Sequence, residues 1–330
     1  MSDAPGSTLP TVVMSSVVRS SHRGESHGGV YLVDLERETI RQTVDWNAVD
    51  IDWEGRGGDR GLRGIAFHGD HVLLAGSDEV FVYDRGFQPI GSFTNPYLKH
   101  CHEIVVQGGH LYLSSTGFDS VLEYDLERER FTRGFMLRFS DLWRGRRRLH
   151  LRPRPSFRIF DPNDRHGPAP ADTSHVNNVF VDDRGIYVSG VGLGTLWRIG
   201  RDDRLERYAS IPYGTHNATL FRGGVLLNHT ATDRVALVSR KGKIVRSYPV
   251  PTHHRSDLTH TDLTSDKARQ AFGRGLTIVD EHTFVAGSSP ATVTVYRTDP
   301  PAIAKHVVVS NDLRNAVHGL EVWPFDPLPG

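Results

Sequence analysis

The sequence predicts an all-β fold, a six-bladed β-propeller, and three observations predict it. A unit of four short apolar or alternating runs recurs along the 330 residues, which is the pattern of a propeller blade. The separators are short and rich in Gly, Asp and Ser, the residues that turns favour. The last copy holds a single run, and the three runs it lacks stand at the other end of the chain.

Taken in order, residues 1–10 read as a flexible lead. The stretches 11–18, 30–33 and 39–44 then read as second, third and fourth strands with no first. The clearest whole unit is "RGIAFHGDHVLLAGSDEVFVYDRGFQPIGSFT", Arg63 to Thr94. The same four-run pattern returns over 102–137, 175–211, 216–250 and 274–309. A final inner strand at 320–323 joins the three N-terminal strands in the sixth blade and closes the ring. One propeller domain over 11–330 follows. Period-two alternation, β-branched residues, Gly and Pro leave little support for long helices.

Two segments interrupt the period, 141–173 and 251–273. Both connect an outer strand to the next inner strand, and both are expected to be long loops on the face where propellers bind ligands. Within the second, Asp266–Phe272 is expected to form a short helix. The first carries Arg144, Arg146, Arg147, Arg148, Arg152 and Arg154, which read as a solvated lid or a cap that attracts an anion.

Composition narrows the function classes. Lys plus Arg and Asp plus Glu both number 39, and the formal net charge is zero, so no bulk charge points to nucleic acid or a membrane surface. The lone cysteine, Cys101, excludes a disulfide framework and a cysteine-rich zinc site. It reads as a buried inert thiol. No run is long enough for a transmembrane helix, and the first residues lack a secretory pattern. The expectation is a cytoplasmic protein. Sequons at Asn217 and Asn228 carry no meaning in that setting. Histidine is the unusual component, at 18 residues.

The repeat gives those histidines a place. The residue just before each inner strand is Arg63, His102, His175, His216, Arg274 and His318 in turn. Inner strands surround the axis, so these side chains are expected to meet at one mouth of the channel. Neutral imidazoles on rigid strands suit a transition metal, so His102, His175, His216 and His318 are the expected ligands of Fe or Cu, or of Zn. Arg63 and Arg274 are expected to bind an anionic substrate through their guanidinium forks, with His229 lining its pocket. Glu103, Asn177, Asn178 and Asn217 follow the histidines and are expected to support the ligands from behind. His22 and His27 fall in the matching loop of the shared blade. His253, His254, Asp257, His260 and Asp262 give the second long loop a metal-like composition.

The phrase "HVNNVFVDDRGIYVSG", His175 to Gly190, resembles the inner-strand phrase of the NHL-repeat and gluconolactonase-like (regucalcin-type) six-bladed propellers. In the gluconolactonase-like enzymes a Glu and Asn/Asp set holds a divalent ion; here histidine takes the leading slots. The histidine set is similar to that of the peptidylglycine amidating lyase propeller, whose zinc lies on the axis. It also resembles the carotenoid-cleavage oxygenases, where four histidines hold iron in a seven-bladed ring. What these resemblances imply is an axial metal and not a substrate. The expected function is a metal-dependent enzyme acting on a small anionic molecule by oxidative, lyase or hydrolytic chemistry. Two alternatives stand beside it, a non-catalytic binding propeller and a metal-free enzyme with a histidine general base.

Overall fold

The computed structural model describes residues 8–22, 24–47, 61–139, 154–263 and 268–326. Six antiparallel sheets stand in a ring, the six blades of a β-propeller. Among the described residues there is no α-helix. The inner strands are Ile65–His68, Ile104–Gln107, Val176–Asp182, Thr215–Phe221, Leu276–Asp280 and Asn315–Val322.

A blade is too thin to bury itself, so the apolar residues pack between blades. Six clusters fill the six interfaces. Leu73, Leu111 and Leu122 lie between the first and second blades, and Val121, Val179 and Trp197 between the second and third. Tyr187, Leu196 and Val225 follow, then Leu226, Tyr248 and Phe284. Met14, Val293 and Val317 bury the fifth interface, and Val13, Leu74 and Trp323 the sixth. Alternating apolar side chains on both faces of each sheet are what this arrangement requires.

The sixth blade is assembled from both termini as expected. Thr11–Val18 pairs antiparallel with Asn315–Val322 on one side and with Gly29–Asp34 on the other, and Thr39–Asp45 lies outside. Ser15 ties this blade to the first: its hydroxyl donates to the Arg63 carbonyl and accepts from Gly319 N–H at 2.9 Å.

Two expectations are corrected. The segment 141–173 is not loop throughout. Ser156–Phe160 pairs with the outer strand Arg130–Arg138 and gives the second blade a fifth strand. Its alternation places Phe160 against Gly134, Tyr97 and the core of that blade. Residues 268–272 are not helical but form coil and a turn, while Asp266 and Lys267 lie outside the described residues. Backbone here is directed elsewhere: Ala271 N–H donates to the Ser289 carbonyl at 2.9 Å.

Four inner strands carry register shifts, one at Ile278–Asp280 and three beside expected site residues. Register shifts fall between Val176 and Asn178, between His216 and Thr219, and opposite His318 and Gly319, between Met14 and Ser16. Such bulges re-aim side chains.

The ring closure is tight. A Cβ on Gly319 would collide with the Arg63 carbonyl and stand 2.7 Å from Ile65 Cγ1 and 2.8 Å from Ser15 Oγ. Gly319→Ala is expected to lower stability by about 1–3 kcal/mol, the cost of overpacking. Gly91→Ala, with open space around its Cβ, is expected to change it by no more than about 0.5 kcal/mol. Urea midpoints of the two variants check the contrast.

Candidate functional site at the axial mouth

The repeat-derived ring positions do converge, although four of them line the chamber itself and two do not. His102, His216, Arg274 and His318 line a small chamber on the axis, together with Glu103, Asn177 and Asn217. Its free space fits about one water molecule. His175 stands beside it, its ring centroid 5.7 Å from that of His102. The His102 and His318 rings are 6.3 Å apart. Arg63 is buried behind them and donates to the Cys101 carbonyl at 3.4 Å.

Hydrogen bonds fix every imidazole in the same sense. His102 Nδ1 meets the His100 carbonyl at 2.8 Å and Thr116 Oγ1 at 3.0 Å. The Thr116 hydroxyl donates onward to the Val176 carbonyl, so it accepts from His102. In the fourth blade the same device recurs: His216 Nδ1 meets Thr230 Oγ1 at 3.0 Å, and that hydroxyl donates to the Gly214 carbonyl. His175 Nδ1 lies 2.9 Å from an Asp172 carboxylate oxygen, and His318 Nδ1 faces the Ala316 carbonyl at 3.3 Å. All four therefore turn an Nδ1–H toward an acceptor, and in His102, His216 and His318, which burial keeps neutral, Nε2 carries the lone pair. His318 uses that lone pair to accept from Arg274 Nη1 at 2.8 Å.

Turns hold these rings in place. Asp119, left-handed at the end of a 3₁₀ turn over Thr116–Phe118, is fully buried. Its carboxylate accepts the backbone N–H groups of Thr173, Ser174 and His175 at 2.9–3.0 Å. It thereby fixes His175, itself in a left-handed conformation.

The site keeps its bases neutral. Burial holds His102, His216 and His318 well below the usual imidazole value, and nearby cations add to it. Arg274 acts on all three, Arg63 on His102 and His318, and Arg19 on His216 and His318. Below the rings, burial pushes the Glu103 carboxyl well up and that of Glu321 up to about 7. Glu103 accepts from Asn217 Nδ2 at 2.6 Å, and Asn217 Oδ1 accepts from Gly275 N–H at 3.0 Å, which links the second, fourth and fifth blades. Asn177 is 3% exposed, and neither end of its amide has a hydrogen-bond partner among the described residues.

Other expected residues go elsewhere. Asn178 donates to the Ala218 carbonyl at 2.9 Å and crosslinks two blades. His229 bonds Thr232 Oγ1 at 2.9 Å and is not part of the chamber wall. His22 is exposed, and His27 is buried against Ser21. The second long loop does not gather its histidines: His254 meets Ser256, His260 pairs with Asp312 at 3.2 Å, and His253 packs on His306. Arg154 donates to the Leu205 carbonyl, while Arg144, Arg146, Arg147, Arg148 and Arg152 lie outside the described residues. Among the described residues, no three His, Cys, Asp or Glu side chains form a group that could hold a metal ion. No helix among them is long and apolar enough to cross a membrane.

Comparisons with known proteins bear on the fold. No family model matches the chain, and no curated protein matches it. The chain is similar in structure to a protein of unknown function from Bacteroides caccae, at 9% identity and a TM-score of 0.56 over 95% of this chain and 98% of that one. It is similar to apo AztD from Citrobacter koseri at 10% identity and a TM-score of 0.50, again over 95% and 98%. A streptogramin B lyase matches at 13% identity and a TM-score of 0.47, over 76% of this chain and 70% of that one. At these identities the likeness is one of fold alone.

Sequence reasoning missed Arg19, Asp119, Asp172, Thr116, Thr230 and Phe272. For the two threonines a signal existed: each stands 14 positions after its histidine, in matching blades.

The neutral histidines have a titration consequence. Their folded values lie below the ordinary 6.5, so unfolding takes up protons below that pH. Their contribution leaves stability intact above about pH 6.5 and removes it as pH falls, at up to about 1.4 kcal/mol per pH unit for each ring. At pH 6, nitrogen-detected NMR of the native protein is expected to show three neutral rings protonated on Nδ1. Imidazolium shifts for His102, His216 and His318 at that pH would contradict the assignment.

Proposed function

We propose that the protein is an enzyme that binds a small anionic molecule at the axial mouth and moves a proton on it, with His175 as general base. The observation that carries this reading is the Asp172–His175 pair. The His175 side chain is 34% exposed, and a carboxylate holds its Nδ1–H, which leaves Nε2 as an oriented acceptor. Arg274 and Arg63 supply the positive field that draws an anion and stabilises negative charge developing on it. Neutral His102, beside His175, is a second base or relay. The small chamber beneath takes one polar atom of the ligand and not a whole substrate.

Proton abstraction is detectable without knowing the product. Small carboxylates and phosphate esters that bind the mouth are expected to exchange a carbon-bound hydrogen in D₂O. His175→Ala is expected to abolish that exchange, and Asp172→Asn to slow it by about 10²-fold or more. Binding without exchange by any bound anion would leave the alternative, a ligand-binding propeller.

A second reading has one specific observation in its favour. The Nε2 lone pairs of His102, His175 and His216 are all set by anchored Nδ1–H groups, the arrangement metal-ligating histidines adopt. In this reading the three would have to draw closer to hold Fe, Cu or Zn, since no three such side chains are grouped for it among the described residues, and the metal would supply Lewis-acid or redox chemistry when bound. Elemental analysis of untagged protein, with His102→Ala and His216→Ala as controls, separates the two. About one equivalent of metal, lost in both variants without unfolding, would establish the second reading over the first.

A further inference from the structure

We infer that the anion taken at the mouth carries a hydroxyl beside its charged group, and that this hydroxyl enters the axial chamber and bonds both ends of the Asn177 amide. The inference rests on the reading of the mouth as an anion site and names the class of ligand.

Elimination singles out Asn177 among the groups that line the chamber. His318 Nε2 already accepts from Arg274, and Glu103 Oε2 accepts from Asn217 Nδ2. Asn217 Oδ1 accepts from Gly275 N–H and from Asn228 Nδ2, at 3.0 and 3.2 Å. Asn177 differs. It is 3% exposed, and among the described residues neither its Nδ2 nor its Oδ1 has a hydrogen-bond partner. An amide buried in that state is destabilising at both ends, and such groups usually mark a bound partner.

The backbone explains why this side chain does not turn elsewhere. The register shift between Val176 and Asn178 takes Asn177 off the regular alternation. On one side of it, the Val176 carbonyl accepts from Thr116 Oγ1 at 2.6 Å. On the other, Asn178 Nδ2 donates to the Ala218 carbonyl at 2.9 Å. Both neighbours are pinned, and the residue between them is left to the chamber wall.

Size and chemistry together define what the amide recognises. The chamber has room for about one water molecule, so one heavy atom enters. The amide offers a donor at Nδ2 and an acceptor at Oδ1, so that atom has to accept and donate at once. A hydroxyl does both. A carbonyl oxygen or a halogen brings no proton for Oδ1, an ammonium has no lone pair for Nδ2, and a carboxamide is too large. The wall supplies no substitute donor from His102 or His216, whose Nδ1–H groups are turned to Thr116 and Thr230. Asn177 also stands two residues after His175, the proposed base. A 2-hydroxy acid is the smallest ligand of this class, and the hydrogen open to abstraction lies on the carbon between its two polar groups.

Calorimetry on the full chain tests this with glycolate, acetate, fluoroacetate and methoxyacetate as probes. Glycolate is expected to bind at least about tenfold more tightly than the other three. A water takes the chamber when the ligand has no hydroxyl, which keeps the factor from growing much larger. Asn177→Leu, checked for folding by circular dichroism, is expected to bring the glycolate-to-acetate ratio within about twofold. A ratio that survives in the folded variant would overturn the inference. If the variant does not fold, the wild-type series decides: fluoroacetate or methoxyacetate binding as tightly as glycolate overturns it, since neither has a hydroxyl to donate. Equal binding of glycolate and acetate also overturns it and leaves the anion site standing. If no probe binds the wild-type protein, the inference and the reading beneath it both fall.

Discussion

The pairing of Thr11–Val18 with Asn315–Val322 is the contact on which the rest of the structure depends. Among the described residues every other strand pair joins neighbours in sequence, but this one brings together residues such as Ser15 and Gly319, 304 positions apart. Closing so long a loop costs only slowly more than closing a short one, and the closing strand meets that cost by near-complete burial. Val12, Val13, Met14 and Val17 are 0% exposed and feed the cores on both sides of the sixth blade. The closure also assembles the mouth. Arg19 leaves the end of the first of these strands, and His318 lies within the second. Neither has its neighbours until the ring is shut, so fold completion and site formation are one event.

Electrostatics decides what such a mouth can hold. Buried guanidinium groups and unprotonated imidazoles occupy one small volume, and each keeps the other in its state. The cations lower the affinity of the histidines for protons, and the neutral rings accept hydrogen bonds where charged ones would repel. The carboxyls beneath, Glu103 and Glu321, are pushed toward their neutral forms by burial and so offset less of the positive charge than their formal count suggests. On the proposed reading, the field of these cations favours an anion over a divalent cation. A metal bound here by His102, His175 and His216 would have to overcome Arg274, whose guanidinium already bonds the fourth histidine of the ring.

The blade count and the shared sixth blade were legible in the sequence because period and turn chemistry repeat. The ring of Arg63, His102, His175, His216, Arg274 and His318 was legible for the same reason, since equivalent slots in a repeat must meet on the axis. What lies outside the repeat was not. Arg19 and Phe272 belong to connections, where no second copy gives a frame of reference. Ser156–Phe160 alternates as a strand should, but flanking Arg and Pro residues mask its pairing with Arg130–Arg138. Asn177 and Asn178 show the finest limit. Adjacent and identical in type, they part company because a one-residue bulge sends the first to the chamber and the second to the next blade.

That bulge is one case of a general solution. On a regular strand successive side chains alternate, so an inner strand offers the axis only every second residue. The irregularity between His216 and Thr219 lets His216 and Asn217 both face the chamber. Bulging leaves backbone groups off the ladder, and Ser15 accepts one of them, the Gly319 N–H. Asn217, itself in a bulge, accepts the Gly275 N–H at the start of the fifth blade. Six stiff blades fix where the mouth is. Three local departures from their regularity set which side chains fill it, so the polar network that stitches the bulges together also holds the chemical groups in register with one another.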